Sequence, residues 1–288
     1  MTAGPYGALF DAVRGVRWPA ARRVAGATLG AHASKLRGNS SEFSEFRPYR
    51  QGDDPRRVDW RLLARSDRAY VRLTTDRATL RTAIIVDASA SMAFPLADLA
   101  KWTRAREIAV ALAAVAHAES DPVGLAIASD PPFVLAPRAR RSVIVEMIRA
   151  LDGAMPRGSA PLAPLVASAR APRVVLVTDL LGDLDDILAA AKLRIAAGGE
   201  VIVVHVVSPD ELDPPSGAVS AVDPEHADIR RTLDTEARAD YQRAFSGWMN
   251  DTASTCRASR IRYFRAETTE PAAHVVRRVA SDAGDAGR

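Results

Sequence analysis

The sequence is poor in cysteine and lysine and has no long apolar run. Its single cysteine, Cys256, excludes a disulfide framework and a cysteine-based zinc site. The longest apolar candidate, residues 108–118, is shorter than the roughly 18–20 residues that a membrane span needs, and it contains His117. Charged residues interrupt the N-terminal stretch where a signal peptide would have its apolar region. These absences predict a soluble protein of the cytoplasm.

Two common catalytic motifs are missing as well. The chain has no Gly-x-x-x-x-Gly-Lys phosphate loop and no Gly-x-Ser-x-Gly nucleophile turn. Its five histidines are scattered, and we interpret His117 and His205 as residues with satisfied structural roles. We therefore predict a protein that does not hydrolyse ATP.

The charged residues are nearly balanced, but arginine dominates the basic ones. Of 39 basic residues only three are lysines, and the formal net charge is +4. We attribute this bias to codon usage in a GC-rich bacterial genome. Nucleic-acid binding through the Arg-rich N-terminal region remains the alternative, and the small net charge supports it weakly.

Short β-branched runs alternate with Ala-rich helical stretches from Arg81 onward. This alternation predicts an α/β domain over 81–282 with a doubly wound, mostly parallel sheet, preceded by an irregular or β appendage over 1–80 and followed by a tail, 283–288. The four residues 129–132 are too few for a parallel crossover, so the strands around them must form an antiparallel hairpin. The predicted strands are Thr82–Val86, Val123–Ala128, Phe133–Leu135, Arg173–Val177, Val201–Val207 and Arg260–Arg265. The predicted helices are Asp98–Ala118, Arg140–Leu151, Leu162–Ala169, Leu184–Ala197, Leu233–Ser254 and Ala272–Ala280, and 208–230 is predicted to be a loop.

Oxygen-bearing side chains follow two of the predicted strands. The first strand ends in Asp87-Ala88-Ser89-Ala90-Ser91, and a later one ends in Thr178-Asp179. Ligand sites in open α/β sheets lie at the carboxyl ends of the strands, so the two carboxylates converge if the strands are neighbours. Such hard oxygen ligands suit Mg²⁺ or Mn²⁺. The alternative is an ordinary turn in which Asp and Ser cap the next helix.

This pattern resembles the metal-ion-dependent adhesion site of von Willebrand factor A domains, whose fold has one antiparallel edge strand. The resemblance implies a metal site formed by Asp87, Ser89, Ser91, Ser159 and Asp179. Ser159, in the loop Arg157-Gly158-Ser159, stands where the family usually has threonine. It keeps the hydroxyl but loses the methyl group that restricts the rotamer.

Residues 38–74 are similar to the signature of the bacterial domain-of-unknown-function 58 family, which carries an A-domain directly downstream. The matching residues include Arg47, Tyr49, Gly52, Asp53, Asp54, Arg56, Asp59, Trp60 and Arg65. The resemblance implies a partnership with MoxR-type AAA+ ATPases in chaperone-like assembly or activation of client proteins. Many members have N-terminal membrane helices, and this chain is expected to be a shorter cytoplasmic form.

The same segment has two physical interpretations. Trp60 and Tyr49 are large apolar groups in a polar segment, which predicts that they are buried against the A-domain as part of a salt-bridged structural plug. The alternative is a docking surface. A second metal site at Asp53-Asp54 is disfavoured by the neighbouring Arg56 and Arg57, which favour ion pairs.

Two functions from different classes compete for the oxygen-rich site. We predict a non-enzymatic, metal-dependent interaction adaptor. The alternative is a Mg²⁺-dependent phosphohydrolase, which Asp87-Ala88-Ser89 disfavours because aspartyl-phosphate enzymes commonly have Asp-x-Asp there. We also expect no lysine or histidine near the site to supply phosphate charge or acid–base chemistry.

Overall fold

In a computed structural model of the chain, the structure describes residues 5–20, 28–33, 43–51, 53, 55, 58–66, 68–74, 77–159, 161–182, 184–215, 221–222, 230–231 and 234–285. The elements in chain order are α1 (Gly7–Ala12), β1 (Thr28–Ala33), β2 (Phe43–Pro48), α2 (Trp60–Ser66), β3 (Tyr70–Thr74), β4 (Arg77–Thr79), β5 (Thr82–Asp87), α3 (Ala100–Ala118), β6 (Val123–Ala128), β7 (Phe133–Arg138), α4 (Val143–Gly153), α5 (Ala163–Ser168), β8 (Arg173–Thr178), α6 (Leu184–Ala196), β9 (Glu200–Val207), α7 (Pro209–Leu212), β10 (Ala221–Val222), β11 (Arg230–Arg231), α8 (Thr235–Ala258), β12 (Arg262–Glu267) and α9 (Ala272–Asp285). A 3₁₀ turn, Ala90–Ala93, lies between β5 and α3.

The chain divides into two compact units, Met1–Gly26 with Arg81–Arg288, and Ala27–Leu80. The predicted appendage over 1–80 is therefore corrected, because the first part of the chain belongs to the unit that contains the sheet. Trp18 is 0% exposed and belongs to the same core cluster as Ile84 of β5. The Arg173 guanidinium lies 4.2 Å from the centroid of the Trp18 ring, and its Nη2 donates to the Pro19 carbonyl at 2.7 Å.

The large unit contains a six-stranded sheet in the order β12-β9-β8-β5-β6-β7. Every neighbouring pair is parallel except β6 and β7, which are antiparallel. The strand order reverses at β5. From β5 the chain first adds β6 and β7 on one side, and later adds β8, β9 and β12 on the other. The predicted fold class and the predicted edge hairpin are both confirmed.

Gly124 allows the hairpin to close tightly. A Cβ at this position would lie 2.5 Å from the Leu135 carbonyl oxygen of β7, so no other residue fits without displacing backbone. The β6–β7 register shifts between Val123 and Leu125, next to this approach.

Both faces of the sheet are covered, as the continuous apolar strands predict. Ile84 and Val86 pack with residues of α3, α4 and α9, while Ile85 packs on the other side with residues of α5, α6 and α8. Cys256 of α8 is a buried residue of that second cluster, in agreement with a structural role. Helix α3 is buried around most of its circumference, because Val110 and Ala113 are inaccessible as well as Ile108 and Leu112.

The structure adds detail in two regions, the predicted loop 208–230 and the unit Ala27–Leu80. The predicted loop 208–230 contains α7 and the strand β10, which pairs antiparallel with β11, in its described part. The unit Ala27–Leu80 contains the antiparallel pairs β1–β4 and β2–β3 together with α2, which confirms its predicted β character.

Candidate metal centre at the carboxyl end of the sheet

Asp87 and Asp179 meet because their strands are neighbours. Asp87 is the last residue of β5, and Asp179 directly follows β8, with Val86 opposite Val177 in the parallel register. Both carboxylates are buried. The Thr178 hydroxyl donates to Asp87 Oδ2 at 2.6 Å, so the two strand ends are joined directly. The predicted convergence of the two strand ends is confirmed.

Burial and the neighbouring carboxylate both raise the pKa of Asp87. Burial raises its pKa to about 6, and the negative charge of Asp179 contributes in the same direction. The hydrogen bonds from Thr178 and from the Ser89 backbone oppose this shift without cancelling it. Ionised Asp87 is therefore destabilised by its surroundings, and a nearby cation would relieve the repulsion.

The Asp87–Ser91 loop directs its hydroxyls toward each other. The Ser89 backbone N–H donates to Asp87 Oδ1 at 2.9 Å. The Ser89 and Ser91 hydroxyl oxygens are 3.0 Å apart, and both residues are buried. The Met92 N–H donates to the Ser89 carbonyl at 3.1 Å and begins the 3₁₀ turn. This turn gathers one carboxylate and two hydroxyls in a small space.

The loop that carries Ser159 is fastened to the Asp87–Ser91 loop through its backbone. The Arg157 N–H donates to the Ala88 carbonyl at 2.9 Å, and the Ala90 N–H donates to the Gly158 carbonyl at 2.8 Å. Gly158 has φ +62°, a conformation that favours glycine. Ser159, the next residue, is exposed, whereas Ser89 and Ser91 are buried.

The turn after β8 holds Asp179 in place through a strained residue. Leu180 has φ +58°, which is uncommon for a residue with a branched side chain. Its N–H donates to the Thr178 hydroxyl at 3.0 Å, and the Leu181 N–H donates to Asp179 Oδ1 at 3.2 Å. Such strain persists where surrounding contacts over-determine the backbone, as commonly happens at functional sites.

A buried lysine reaches the site, against the expectation from the sequence. Lys101 is fully buried, and its Nζ lies 2.6 Å from Asp179 Oδ2 and 2.7 Å from Glu211 Oε1. Burial alone would lower the pKa of Lys101, but the two carboxylates raise it above its usual value. The expectation of no lysine near the site is therefore wrong. Lys101 precedes Ala105, Ile108 and Leu112 by 4, 7 and 11 positions, so helical spacing places it on the buried face of α3 and could have indicated it.

His205 also lies beside the site but in a structural role. It pairs with Thr178 in the β8–β9 register, and its Nδ1 is 2.6 Å from the Tyr263 hydroxyl. Burial lowers the pKa of His205 to about 4, so its imidazole is neutral at pH 7. The satisfied role expected for this histidine is confirmed.

The donor set fits a small divalent cation through its hydroxyls. Within the described ranges, no group of three or more His, Cys, Asp and Glu residues is suited to hold a metal. The candidate centre therefore depends on Ser89 and Ser91 in addition to the carboxylates of Asp87 and Asp179. These are the hard oxygen ligands that Mg²⁺ and Mn²⁺ accept, with water completing the coordination.

In the unit Ala27–Leu80, called the small unit below, the charged residues of the sequence motif bond to one another and to nearby backbone. Arg47 Nη2 lies 2.7 Å from Asp53 Oδ1, and Asp53 Oδ2 accepts from the Arg50 N–H at 2.7 Å. Asp53 is thus ion-paired, but with Arg47; Arg57, one of the two expected partners, lies outside the described residues. Asp59 Oδ1 accepts from the N–H groups of Arg61 and Leu62 at 3.0 and 2.9 Å, which caps the start of α2. Arg65 lies in the last turn of α2. Gly52, Asp54 and Arg56 lie outside the described residues.

The prediction that the two aromatic residues of this motif are buried is wrong. Trp60 is 62% exposed and Tyr49 is 38% exposed. Trp60 is the first residue of α2, directly after the capping Asp59, and this position at a helix end leaves its ring accessible. Val58 and Val71, which form an isolated antiparallel bridge, are buried apolar residues in the described part of this unit.

The model of a protein family with the description "Protein of unknown function DUF58" matches residues 45–247 of the chain. The chain belongs to the DUF58 family. Uncharacterized proteins of Mycobacterium tuberculosis and Mycobacterium bovis are each 30% identical to this DUF58 chain over 262 residues, which cover 86% of the chain and 81% of each relative. The family match begins at Glu45 in β2 and ends at Gly247 in α8. It therefore includes the small unit's motif and the candidate metal centre.

Solved structures similar to this DUF58 protein come from several organisms. The conserved hypothetical protein BatB from Bacteroides thetaiotaomicron has a TM-score of 0.47 and 17% identity, covering 72% of this chain and 99% of that one. An aerotolerance-related membrane protein from Bacteroides fragilis has a TM-score of 0.48 and 19% identity, with the same coverages of 72% and 99%. The SpRpn10 VWA domain has a TM-score of 0.39 and 12% identity, covering 69% of this chain and 94% of that one. In the described part of the DUF58 chain, no helix has the length and apolar character needed to cross a membrane.

Proposed function

We propose that this DUF58 protein is a non-enzymatic adaptor that binds Mg²⁺ or Mn²⁺ and uses the ion to bind an acidic side chain of a partner protein. The proposed ligands are Asp87, Ser89, Ser91 and Asp179, with the exposed Ser159 as a further candidate. The observation that carries this proposal is the convergence of buried carboxylates and paired hydroxyls at the strand-order reversal. A divalent ion there would supply positive charge and a directed site for an incoming carboxylate.

The surface around this centre supports a protein partner. Each of the three loops carries an exposed apolar side chain: Leu96 after the 3₁₀ turn, which is 82% exposed, Met155 before Arg157, and Leu181 after Asp179. Contiguous apolar patches mark interaction surfaces, and these three side chains are the candidates for such a patch here. A protein that presents an acidic residue flanked by apolar side chains would match both features.

The identity of the partner comes from the sequence signature rather than from geometry. The signature over residues 38–74 resembles that of proteins associated with MoxR-type AAA+ ATPases, so such an ATPase is the proposed partner. The adaptor would present it with client proteins for assembly or activation. The proposed location is the cytoplasm.

The phosphohydrolase alternative is weakened by the pairing of the lysine and histidine at the site. The ammonium of Lys101 is at the site, yet it is fully buried and its charge is shared by Asp179 and Glu211. His205 is neutral at pH 7 and bonded to Tyr263. Neither group is arranged to receive a phosphate or to transfer a proton, which supports the adaptor over the enzyme.

Metal binding is tested by calorimetric titration of the full chain with MnCl₂. We expect one site in the wild type and its loss in Asp87→Asn, which keeps the size of the side chain but removes its charge. Asp98→Asn is the matched control, because Asp98 is an exposed acid in the neighbouring loop. Equal Mn²⁺ binding by wild type and Asp87→Asn would contradict the proposal, as would phosphatase or ATPase turnover that Asp87→Asn abolishes.

Partner binding is tested separately from metal binding. The MoxR-type ATPase of the same cell should co-purify with the protein in Mg²⁺ and be lost in EDTA. Leu96→Asp should lose the ATPase while keeping its Mn²⁺ affinity, whereas Leu193→Asp, at an exposed leucine of α6, should keep both. Retention of the ATPase by Asp87→Asn in Mg²⁺ would refute a metal-dependent interaction.

A further inference from the structure

Lys101 is the buried cation of the candidate metal centre. Its ammonium contacts Asp179 Oδ2 and Glu211 Oε1 at 2.6 and 2.7 Å, and no part of its side chain is exposed. Its Nζ also lies 6.0 Å from the centroid of the Phe94 ring, which belongs to the loop after Ser91. The lysine therefore connects α3, the turn after β8 and the short helix α7 at a single point.

Asp179 already faces a positive charge at the oxygen that a metal would use, although the contact lacks the geometry of a hydrogen bond. Its Oδ1 accepts the Leu181 N–H at 3.2 Å, and its Oδ2 faces the ammonium of Lys101. A cation that approaches Asp179 must displace or share this positive charge. The ammonium of Lys101 therefore already lies against Asp179, which is one of the proposed metal ligands.

Glu211 gives the ammonium a second partner that stays in place. Its Oε2 accepts the Ser208 N–H at 2.7 Å, and the Ser208 hydroxyl accepts the Asp210 N–H at 3.4 Å, forming a capping box at the start of α7. The Glu211 carboxylate is thereby held at the start of α7 by a hydrogen bond that does not involve Lys101. When a metal takes Asp179, the ammonium retains one carboxylate and is not left unpaired in the interior.

From these contacts we infer that Lys101 is an internal counter-ion that competes with the divalent metal for Asp179 and so sets the metal affinity of the site. The inference rests on the proposed metal binding at Asp87 and Asp179. It makes Lys101 a positioning residue, which acts on the metal through Asp179. It also predicts a weak site, because a metal must overcome an existing ion pair as well as lose its own water.

The test compares Mn²⁺ affinity across four full-length variants by calorimetry. Lys101→Met removes the competing charge and keeps the aliphatic stem. Lys101→Met with Glu211→Gln removes one charge of each sign, so the site keeps its net charge while Asp179 is freed. Lys192→Met is the matched control, because Lys192 is exposed on α6. Lys101→Met with Asp87→Asn tests whether any gained binding uses the same centre.

We expect Lys101→Met to bind Mn²⁺ at least about tenfold more tightly than the wild type, because a repulsive charge next to a ligand carboxylate is gone. The charge-neutral double variant should show a smaller gain in the same direction, and Lys192→Met should show none. Mn²⁺ should also raise the melting temperature of Lys101→Met more than that of the wild type. The double variant leaves one carboxylate unpaired instead of two, so it remains usable where Lys101→Met alone folds poorly.

The outcomes separate this inference from the proposed function. Unchanged or weaker Mn²⁺ binding in Lys101→Met and in Lys101→Met with Glu211→Gln, with normal wild-type binding, would overturn the counter-ion role and leave the metal site standing. Absence of Mn²⁺ binding from the wild type, from Lys101→Met and from Lys101→Met with Glu211→Gln would overturn the metal site and the inference together. Binding by Lys101→Met that Asp87→Asn removes, with little binding by the wild type, would support the inference.

Discussion

The buried Trp18 and the exposed Trp60 provide a direct test of which tryptophan supports the fold. Trp18 is 0% exposed and belongs to the main core cluster, whereas Trp60 is 62% exposed. Truncating a buried Trp to Ala costs about 3–5 kcal/mol. The cation–π contact with Arg173 at 4.2 Å adds to this cost. The buried Nε1 of Trp18 has no hydrogen-bond partner in the part of the chain that the structure describes, which reduces the benefit of burial and favours the lower end of the range.

We therefore expect Trp18→Ala to lower the free energy of unfolding by about 3 kcal/mol, a large share of the roughly 5–15 kcal/mol typical of a domain. At about 2–4 °C for each kcal/mol, the melting temperature should fall by about 6–12 °C. Trp60→Ala, the matched control, should change the unfolding free energy by no more than about 0.5 kcal/mol.

The assay is urea denaturation followed by far-UV circular dichroism, which reports the whole chain after either tryptophan is removed. Thermal melts of the same proteins give the shift in melting temperature. A loss of stability in Trp60→Ala as large as that in Trp18→Ala would refute the reasoning, because it would mean that the exposed ring carries core packing. An unchanged Trp18→Ala variant would refute the assignment of residues 5–20 to the large unit.

Two further predictions concern the site and the sheet. Because the folded-state pKa of Asp87 is raised from 3.8 to about 6, its protonated form favours the folded state, so in EDTA stability should fall as pH rises from about 4 to about 6 and then level off. Asp87→Asn should remove this component, worth about 2–3 kcal/mol, and denaturation midpoints from pH 4 to 8 would measure it; an unchanged pH profile would contradict the assigned cause. Gly124→Ala should cost about 1–3 kcal/mol, because its Cβ would meet the Leu135 carbonyl at 2.5 Å. Gly153→Ala, where a Cβ meets nothing within 4 Å, should leave the melting temperature nearly unchanged, and equal effects at the two glycines would show that backbone approach is not the cause.

The strands and their connections were predictable because they depend on local pattern. The apolar runs such as Thr82–Val86 predict strands buried on both faces, and β5 extends over Thr82–Asp87. The hairpin around residues 129–132 follows from the number of residues available to reverse the chain. The meeting of Asp87 and Asp179 follows in the same way, because the carboxyl ends of parallel neighbours share one edge of the sheet.

The missed features arise from contacts between distant segments. Helical spacing places Lys101 on the buried face of α3, but its partners Asp179 and Glu211 lie after β8 and β9, and no local pattern links them to it. The aromatic residues of the small unit were expected in a core because of their size, yet Trp60 begins a helix with its ring exposed. Size alone does not decide burial; the neighbours that surround a side chain do.

The sequence by itself determined the alternation of elements, the antiparallel edge and the residues offered as oxygen ligands, since periodicity and connection length act within one segment. Only the tertiary structure decided that Trp18 enters the core and that the Lys101 ammonium lies against Asp179. These outcomes depend on which elements pack together, because burying a ring or a charge is favourable only where other parts of the chain supply apolar contacts or opposite charge. The candidate centre therefore combines ligands predictable from strand ends with a counter-ion supplied by the packing of α3.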